Sequence, residues 1–107
     1  MVAIDDRVTK RALAAVEALA RISGVRAAYL FGSHVAGTSD RWSDIDVAAF
    51  MDAAETWDCF RRAKVIVGVQ KEVGFDIEPH IFSTASFEHA APGSFAEEIL
   101  RHGIRIL

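Results

Sequence analysis

The sequence predicts a small mixed α/β (α+β) fold, in which helices pack on one small mixed sheet. Two observations carry this prediction. Apolar residues recur at helical spacing in three segments, near residues 8–22, 54–72 and 94–102. Short runs rich in β-branched and aromatic residues, the pattern of buried strands, lie between them. The 107 residues, 51% of them hydrophobic, suit one domain over residues 1–107.

The first half of the chain predicts a helix followed by two strands. The helix runs from Val8 to Ile22 and ends at Ser23-Gly24, because glycine readily adopts the left-handed backbone that closes a helix. The first strand runs from Val25 to Phe31. Residues 32–43 are small and polar, and they predict a loop with room for one helical turn. The second strand runs from Ile45 to Phe50.

The next segment predicts a second helix from about Ala54 to Glu72, because its charged residues recur at helical spacing. The run Val65-Ile66-Val67 within it also fits a strand, and periodicity leaves that alternative open. We expect Cys59 to be buried in the middle of this helix. The predicted inner face of the helix comprises Trp57, Phe60, Ala63, Val67 and Ile66.

The last third predicts one strand and one helix. After Gly74 ends the second helix, the third strand runs from Phe75 to Phe82. Pro79 lacks a backbone N–H, so we expect this strand at an edge of the sheet or bulged. The final helix runs from about Ser94 to His102, before an apolar tail.

The composition excludes several classes of function. The net charge is −3, with 15 acidic residues against 12 Lys plus Arg, so we expect no duplex nucleic-acid partner. The single cysteine rules out an internal disulfide and a zinc cluster. The apolar runs are shorter than a membrane span, and no stretch resembles a signal peptide. We therefore expect a cytoplasmic protein that does not enter the membrane.

The loop after the first strand concentrates residues suited to chemistry. At Gly32-Ser33, the glycine lets backbone N–H groups approach an anion, and the serine hydroxyl adds a donor. Asp44 and Asp46 stand two residues apart at the start of a strand, so their side chains share a face and can share divalent cations. Each feature alone also fits an ordinary turn or a solvated strand end.

Together these features resemble a known family. Gly-Ser, a ten-residue spacer and Asp-x-Asp, with Ser43 directly before Asp44, is similar to the signature of the nucleotidyltransferase superfamily that includes DNA polymerase β. The short chain resembles its minimal nucleotidyltransferase (MNT) branch. The resemblance covers nearly the whole chain, including the tail from Glu98 to Leu107, and it implies the polymerase β-like fold.

The resemblance also implies the site and its ligands. Asp44, Asp46 and a third carboxylate from a later strand would be the catalytic and metal-binding groups for Mg²⁺ or Mn²⁺. Gly32, Ser33 and Ser43 would bind ATP or another nucleoside triphosphate as the substrate.

Two residues compete for the third carboxylate. Glu78 and Asp76 alternate onto one face of the third strand, with His80 beyond them. Related short chains resemble this region with Glu, one apolar residue and then His, which favours Glu78 and keeps Asp76 as the alternative. His80 also fits a hydrogen-bonded structural histidine.

The resemblance implies a Mg²⁺-dependent enzyme that transfers a nucleoside monophosphate, AMP from ATP, to a hydroxyl. In the minimal branch the acceptor is a small helical HEPN-type protein, often a toxin, so the chain would be the antitoxin of a toxin–antitoxin pair. Without such a partner we expect a homodimer, because apolar residues such as Leu107 need cover.

One departure from the family supports an alternative function. Many relatives carry arginine at one or both of the positions held here by His34 and Ala36, and Arg41 is a candidate to compensate for their absence. The alternative is therefore a catalytically weak or inactive binding module that masks a helical partner sterically.

Overall fold

The secondary structure follows the predicted order, with additional short elements. The structure is a computed structural model and describes residues 4–40 and 43–107. Its helices are α1 (Asp6–Ala20), α2 (Ser33–Ala36), α3 (Cys59–Val73), α4 (Thr84–Glu88) and α5 (Phe95–His102). Its strands are β1 (Val25–Phe31), β2 (Ile45–Met51), β3 (Ile77–Ser83) and β4 (Ile104–Arg105), and a 3-10 helix spans Asp52–Thr56.

The four strands form one mixed sheet in the order β3-β2-β1-β4, which confirms the predicted fold class. β1 pairs antiparallel with β2 and with β4, whereas β2 pairs parallel with β3. Strand β3 lies at an edge of the sheet, where Pro79 is tolerated because the outer side of an edge strand requires no ladder donor.

The two faces of the sheet are covered by different helices. On one face, α1 and α3 contribute apolar side chains such as Leu19, Val65 and Val69, which pack on Val47 and Ala49 of β2. On the other face, Ala96 and Ile99 of α5 pack on Ala48 and Phe50, together with aromatic residues from β1, β3 and α4. Because side chains alternate along β2, Asp46 lies on the α5 face of the sheet.

The second helix begins later than predicted. Asp58 caps it, since its Oδ1 accepts a hydrogen bond of 2.7 Å from the Arg61 N–H, and the preceding residues form the separate 3-10 helix. Trp57 lies between the two helices and packs half-buried against the core. Cys59 is consequently the first residue of α3 and is exposed, so the prediction of a buried, mid-helix cysteine is wrong.

The predicted inner face of this helix is also wrong. Val65 and Val69 are buried, whereas Phe60 is 73% exposed and Val67 is 42% exposed. The predicted face includes Trp57, which lies before the first residue of the helix, so this face is displaced from the one that packs on the sheet. The alternative strand over residues 65–67 is not formed, since these residues lie within α3.

Other elements match their predictions more closely. β1 has the predicted bounds, Gly74 follows the end of α3, and the Ser94 hydroxyl caps α5 by accepting from Glu97 N–H at 3.2 Å. β3 starts at Ile77 rather than at Phe75. Helix α4 and strand β4 were not predicted. Across the described residues, no helix combines the length and apolarity that a membrane crossing requires.

Candidate functional site

The parallel pairing of β2 and β3 brings two predicted carboxylates together. Asp46 on β2 is the register partner of Glu78 on β3, and His80 follows two residues later on the same face. Ligand atoms of these three side chains all lie within 4.8 Å of one another, and we name this group the carboxylate cluster.

His80 fixes the position of the Asp46 carboxylate. Its Nε2 lies 3.3 Å from Asp46 Oδ1, and because a carboxylate only accepts, the ring N–H is the donor. The His80 ring meets the rings of Phe31 and Phe95 edge-on, with centroids 4.9 and 5.8 Å apart. The side chains of Asp46 and His80 are 21% and 26% exposed, so the pair is held in place while remaining accessible.

The electrostatics of the carboxylate cluster favour a cation. The pKa of the Glu78 carboxyl is raised above its usual range. The largest cause is partial desolvation, and the second largest is the negative charge of Asp46. A hydrogen bond shared with Asp46 and the charge of Asp44 act in the same direction, whereas the His80 charge opposes them. The like charges of these carboxylates therefore repel each other, and a bound cation would relieve that repulsion.

The Gly32-Ser33 turn lies directly against the carboxylate cluster. Phe31, the last residue of β1, is the register partner of Asp46, and Gly32 follows it with φ 83°. A Cβ on Gly32 would collide with Asp46 Oδ2, so only glycine allows this approach. Ser33 is the first residue of α2, and the Gly32 carbonyl accepts from Ala36 N–H at 2.9 Å.

The remaining predicted carboxylates have different surroundings. Asp44 lies just before β2 and is exposed; among the described residues it is not part of the group within 4.8 Å, although its charge acts on Glu78. Asp76 lies before the start of β3, and its carboxylate forms an ion pair with Arg11 of α1. The structure thus brings Glu78, rather than Asp76, beside Asp46.

Ser43 and His34 belong to the connection between α2 and β2. The Ser43 hydroxyl accepts from Asp40 N–H at 3.0 Å, so this side chain orders the loop. His34 Nε2 lies 3.5 Å from the Ser43 carbonyl oxygen. Ala36 is exposed at the end of α2. Arg41, which the sequence suggested as a compensating cation, lies outside the described residues.

A groove of about 480 Å³ lies between α2 and α5, beside the turn. Gly32 and Ser33 form one wall, and Phe95, 51% exposed, forms part of the other. The remaining lining residues are Phe31, Val35, Ala36, Thr38, Glu98, Ile99, His102 and Gly103. The groove gives a ligand on the Gly32-Ser33 turn a largely apolar flank.

The donor set of the carboxylate cluster fits a hard divalent cation. Two adjacent carboxylates provide the oxygen ligands that Mg²⁺ and Mn²⁺ prefer. His80 donates to Asp46, which orients a ligating carboxylate in the way that outer-shell partners of metal sites do.

Two residues of this site were not among the predicted site residues. The sequence places His80 on the same face as Glu78, because it follows two residues later, but it leaves open whether His80 is a site residue or a structural histidine. Phe95 had no signal in the sequence, because its contact with His80 depends on how α5 packs on the sheet.

Comparisons with known proteins identify the family and the fold of this chain. The family described as polymerase beta, nucleotidyltransferase matches residues 15–107. A proposed nucleotidyltransferase from Sulfolobus solfataricus is 22% identical, with a TM-score of 0.61, over 77% of this chain and 72% of that one. A toxin–antitoxin structure with AMP-PNP is 23% identical, with a TM-score of 0.58, over 87% of this chain and 70% of that one.

These structural likenesses show the fold, and the family match over most of the chain shows the family. No curated protein is significantly similar to this chain. The predicted enzyme class is confirmed at the family level, and the match is consistent with the minimal branch that the motif resembles. The chain, with Gly32-Ser33 set against Asp46 and Glu78, belongs to the polymerase β nucleotidyltransferase family.

Proposed function

We propose that this protein transfers a nucleoside monophosphate, AMP from ATP, to a hydroxyl group of a small helical HEPN-type partner, and so acts as an antitoxin. The observation that carries this proposal is the contact between the Gly32-Ser33 turn and a cluster containing two carboxylates. A phosphate-binding turn beside carboxylates suits a reaction that joins a triphosphate to divalent cations.

The residues divide the work of the reaction among them. Asp44, Asp46 and Glu78 would hold Mg²⁺ or Mn²⁺, while Gly32 and Ser33 would hold the β and γ phosphates. The bound cation would neutralise the charge that develops on the phosphate oxygens and on the departing pyrophosphate. We assign Ser43 to the order of the loop that carries Asp44, in view of its bond with Asp40 N–H.

Glu78 is the base that we propose for the acceptor. The acceptor oxygen bonds to the α phosphorus, the bond from that phosphorus to pyrophosphate breaks, and the hydroxyl proton passes to the Glu78 carboxylate. His80 would keep Asp46 in position throughout.

The nature of the acceptor rests on the family resemblance and on one structural likeness. A toxin–antitoxin structure with AMP-PNP shares the fold of this chain. We extend that likeness to a protein partner and an adenine nucleotide here. A short helical protein encoded beside this chain would be the natural acceptor.

One observation favours the alternative, steric masking without transfer. Among the described residues, no arginine or lysine lines the groove beside Gly32 and Ser33, and His102 is the only basic residue there. A triphosphate on that turn would then rely on backbone donors and on the cation for most of its charge compensation.

Intact mass decides between the two functions. The neighbouring gene's product is incubated with this protein, ATP and Mg²⁺, and transfer should raise its mass by about 329 Da per AMP in a metal-assisted reaction. Asp46→Asn is the matched control and should give no adduct. A stable complex with unchanged mass would instead establish masking, and the absence of any complex would contradict both functions.

A further inference from the structure

The solvent side of α3 carries an apolar stripe that remains exposed, although Lys64 Nζ lies 5.4 Å from the centre of the Phe60 ring. Phe60 is 73% exposed and Val67 is 42% exposed, although both are large apolar residues on a well-formed helix. Together with their neighbours they line a shallow hollow of about 350 Å³. We call this surface the α3 outer face; it comprises Phe60, Ala63, Lys64, Val67, Gly68 and Lys71.

The α3 outer face is positively charged. Lys64 and Lys71 lie within it and Arg61 lies exposed beside it, in a chain whose net charge is −3. The only acidic residue of α3, Glu72, is engaged by Arg21 of α1. The Arg62 guanidinium turns inward, where it donates to the carbonyls of Ala54 and Ile81.

Gly68 leaves space in the middle of this face. A Cβ added to Gly68 would meet nothing within 4 Å, and no positive φ is recorded for this residue. Glycine inside a helix costs about 1 kcal/mol relative to alanine, and packing among residues 4–40 and 43–107 does not require it here. The space above Gly68 lets another backbone approach α3 closely.

The charges distinguish between two possible occupants. If a second copy packed antiparallel with its own α3 outer face, Lys64 of one copy would lie opposite Lys71 of the other, because the two-fold axis would pass near Val67 and Gly68. Like charges facing each other across an interface oppose such pairing. Acidic residues on a different protein would complement the same lysines.

We propose that the α3 outer face binds an amphipathic helix of a partner protein, one whose apolar stripe is flanked by Asp or Glu. The partner's apolar side chains would cover Phe60 and Val67, and its acidic residues would pair with Lys64 and Lys71. Only the identity of that partner as the acceptor rests on the proposed function.

This surface lies away from the carboxylate cluster. α3 packs with α1 on one face of the sheet, whereas Asp46 and His80 lie on the face covered by α5. Docking on α3 therefore leaves the site open, and binding and transfer are separable properties of this chain.

The first experiment measures binding of the neighbouring gene's helical product by calorimetry. The double variant Lys64→Glu/Lys71→Glu should weaken binding at least tenfold, and the wild-type affinity should fall with added salt. Lys10→Glu, which changes the third lysine of the chain and lies on α1, is the matched control and should bind as wild type. Equal binding by the double variant would overturn the proposal.

A second pair of variants guards against misfolding. Gly68→Leu favours the helix while filling the hollow, so it should fold at least as well as wild type and still weaken binding tenfold or more. Gly68→Ala should bind more tightly than Gly68→Leu. Sedimentation of the chain alone adds a further check, because a homodimer that dissociates in Gly68→Leu would assign the face to a second copy and overturn the proposal.

The outcome also separates this proposal from the proposed function. Asp46→Asn should bind the partner normally while losing transfer. If the charge-reversed variant binds normally and still modifies the partner, docking on α3 is wrong and the function stands.

If the neighbouring product does not bind at all, the proposed function fails, and a synthetic amphipathic helix with leucines flanked by glutamates tests the surface. That peptide should bind wild type more tightly than a matched lysine-flanked peptide, and the double variant should reverse the preference. The proposal would be overturned if wild type bound the two peptides equally, or if it bound neither peptide.

Discussion

A Cβ on Gly32 would occupy the space of Asp46 Oδ2, so the turn after β1 and the carboxylate on β2 share one boundary. The turn cannot carry a side chain without displacing the carboxylate. A side chain added to the predicted phosphate-binding turn would therefore displace the predicted metal ligand Asp46.

Replacing Gly32 by alanine tests this link. Gly32→Ala should lose about 1–2 kcal/mol of stability, because its φ of 83° is strained for an L-residue, and it should also weaken metal-dependent ATP binding by moving Asp46. Gly93→Ala is the matched control, since Gly93 has φ 77° but a Cβ added there would meet no atom within 4 Å. It should show a similar loss of stability with unchanged ATP binding in calorimetry. Equal ATP binding by both variants would separate the turn from the site.

The aspartates of the motif should be required for the metal but not for the fold. Asp46→Asn and Asp44→Asn should each weaken Mn²⁺-dependent ATP binding at least tenfold, with unchanged circular dichroism, since each removes a charge from a group of carboxylates that repel one another. Glu17→Gln changes an exposed carboxylate on α1 and should bind as wild type. Unaltered affinity in both aspartate variants would contradict the assigned site.

The two candidates for the third carboxylate should respond oppositely in two measurements. Glu78→Gln should lower AMP transfer far more than Asp76→Asn, because only Glu78 joins Asp46 in the cluster. Asp76→Asn should cost stability instead, by up to about 1 kcal/mol, because its ion pair with Arg11 is half-exposed. Transfer rates and urea unfolding measure the two effects. A larger loss of transfer in Asp76→Asn would reassign the base.

The raised pKa of Glu78 also predicts that the stability of the metal-free chain, measured with a chelator present, depends on pH. The folded chain holds a proton at Glu78 more tightly than the unfolded chain, so stability from this group is present below the ordinary pKa of 4.5 and is lost as the pH rises through the raised value. Glu78→Gln removes this loss and should be more stable than wild type near pH 7, by a few tenths of a kcal/mol.

Thermal unfolding from about pH 4 to about pH 8 checks the sign. The melting temperatures of wild type and Glu78→Gln should diverge as the pH rises. Parallel curves would show that Glu78 carries no penalty in the folded chain.

The sequence predicts the strands of this fold better than its helix faces. β1 and β2 are short, largely apolar runs. Glycines flank β1 and aspartates flank β2, and these residues mark the ends of both strands in the sequence. The inner face of α3 depends on where the helix begins, and the Asp58 cap that determines this carries no stronger signal than the aspartates around it. Helical phase is therefore lost when the first residue is misplaced.

The site divides in the same way. Alternation along one strand places His80 beside Glu78, so it is readable from spacing alone. The choice between Glu78 and Asp76 depends on the register of β3 against β2, which pairs Glu78 with Asp46, and Asp76 instead forms an ion pair with Arg11 of α1. The contact of Phe95 with His80 likewise requires the packing of α5, which periodicity does not specify.

Parallel neighbours cannot be joined by a tight turn, so the chain runs through the 3-10 helix and α3 before β3 returns beside β2. The antiparallel pair of β1 and β2 carries Asp46, whereas Glu78 and His80 join it only when β3 pairs with β2. A cation that binds the complete carboxylate cluster would stabilise the state in which β3 is paired with β2. The stabilisation would grow with the cation concentration. For this chain, occupancy of the site would then also shift the equilibrium between paired and unpaired β3.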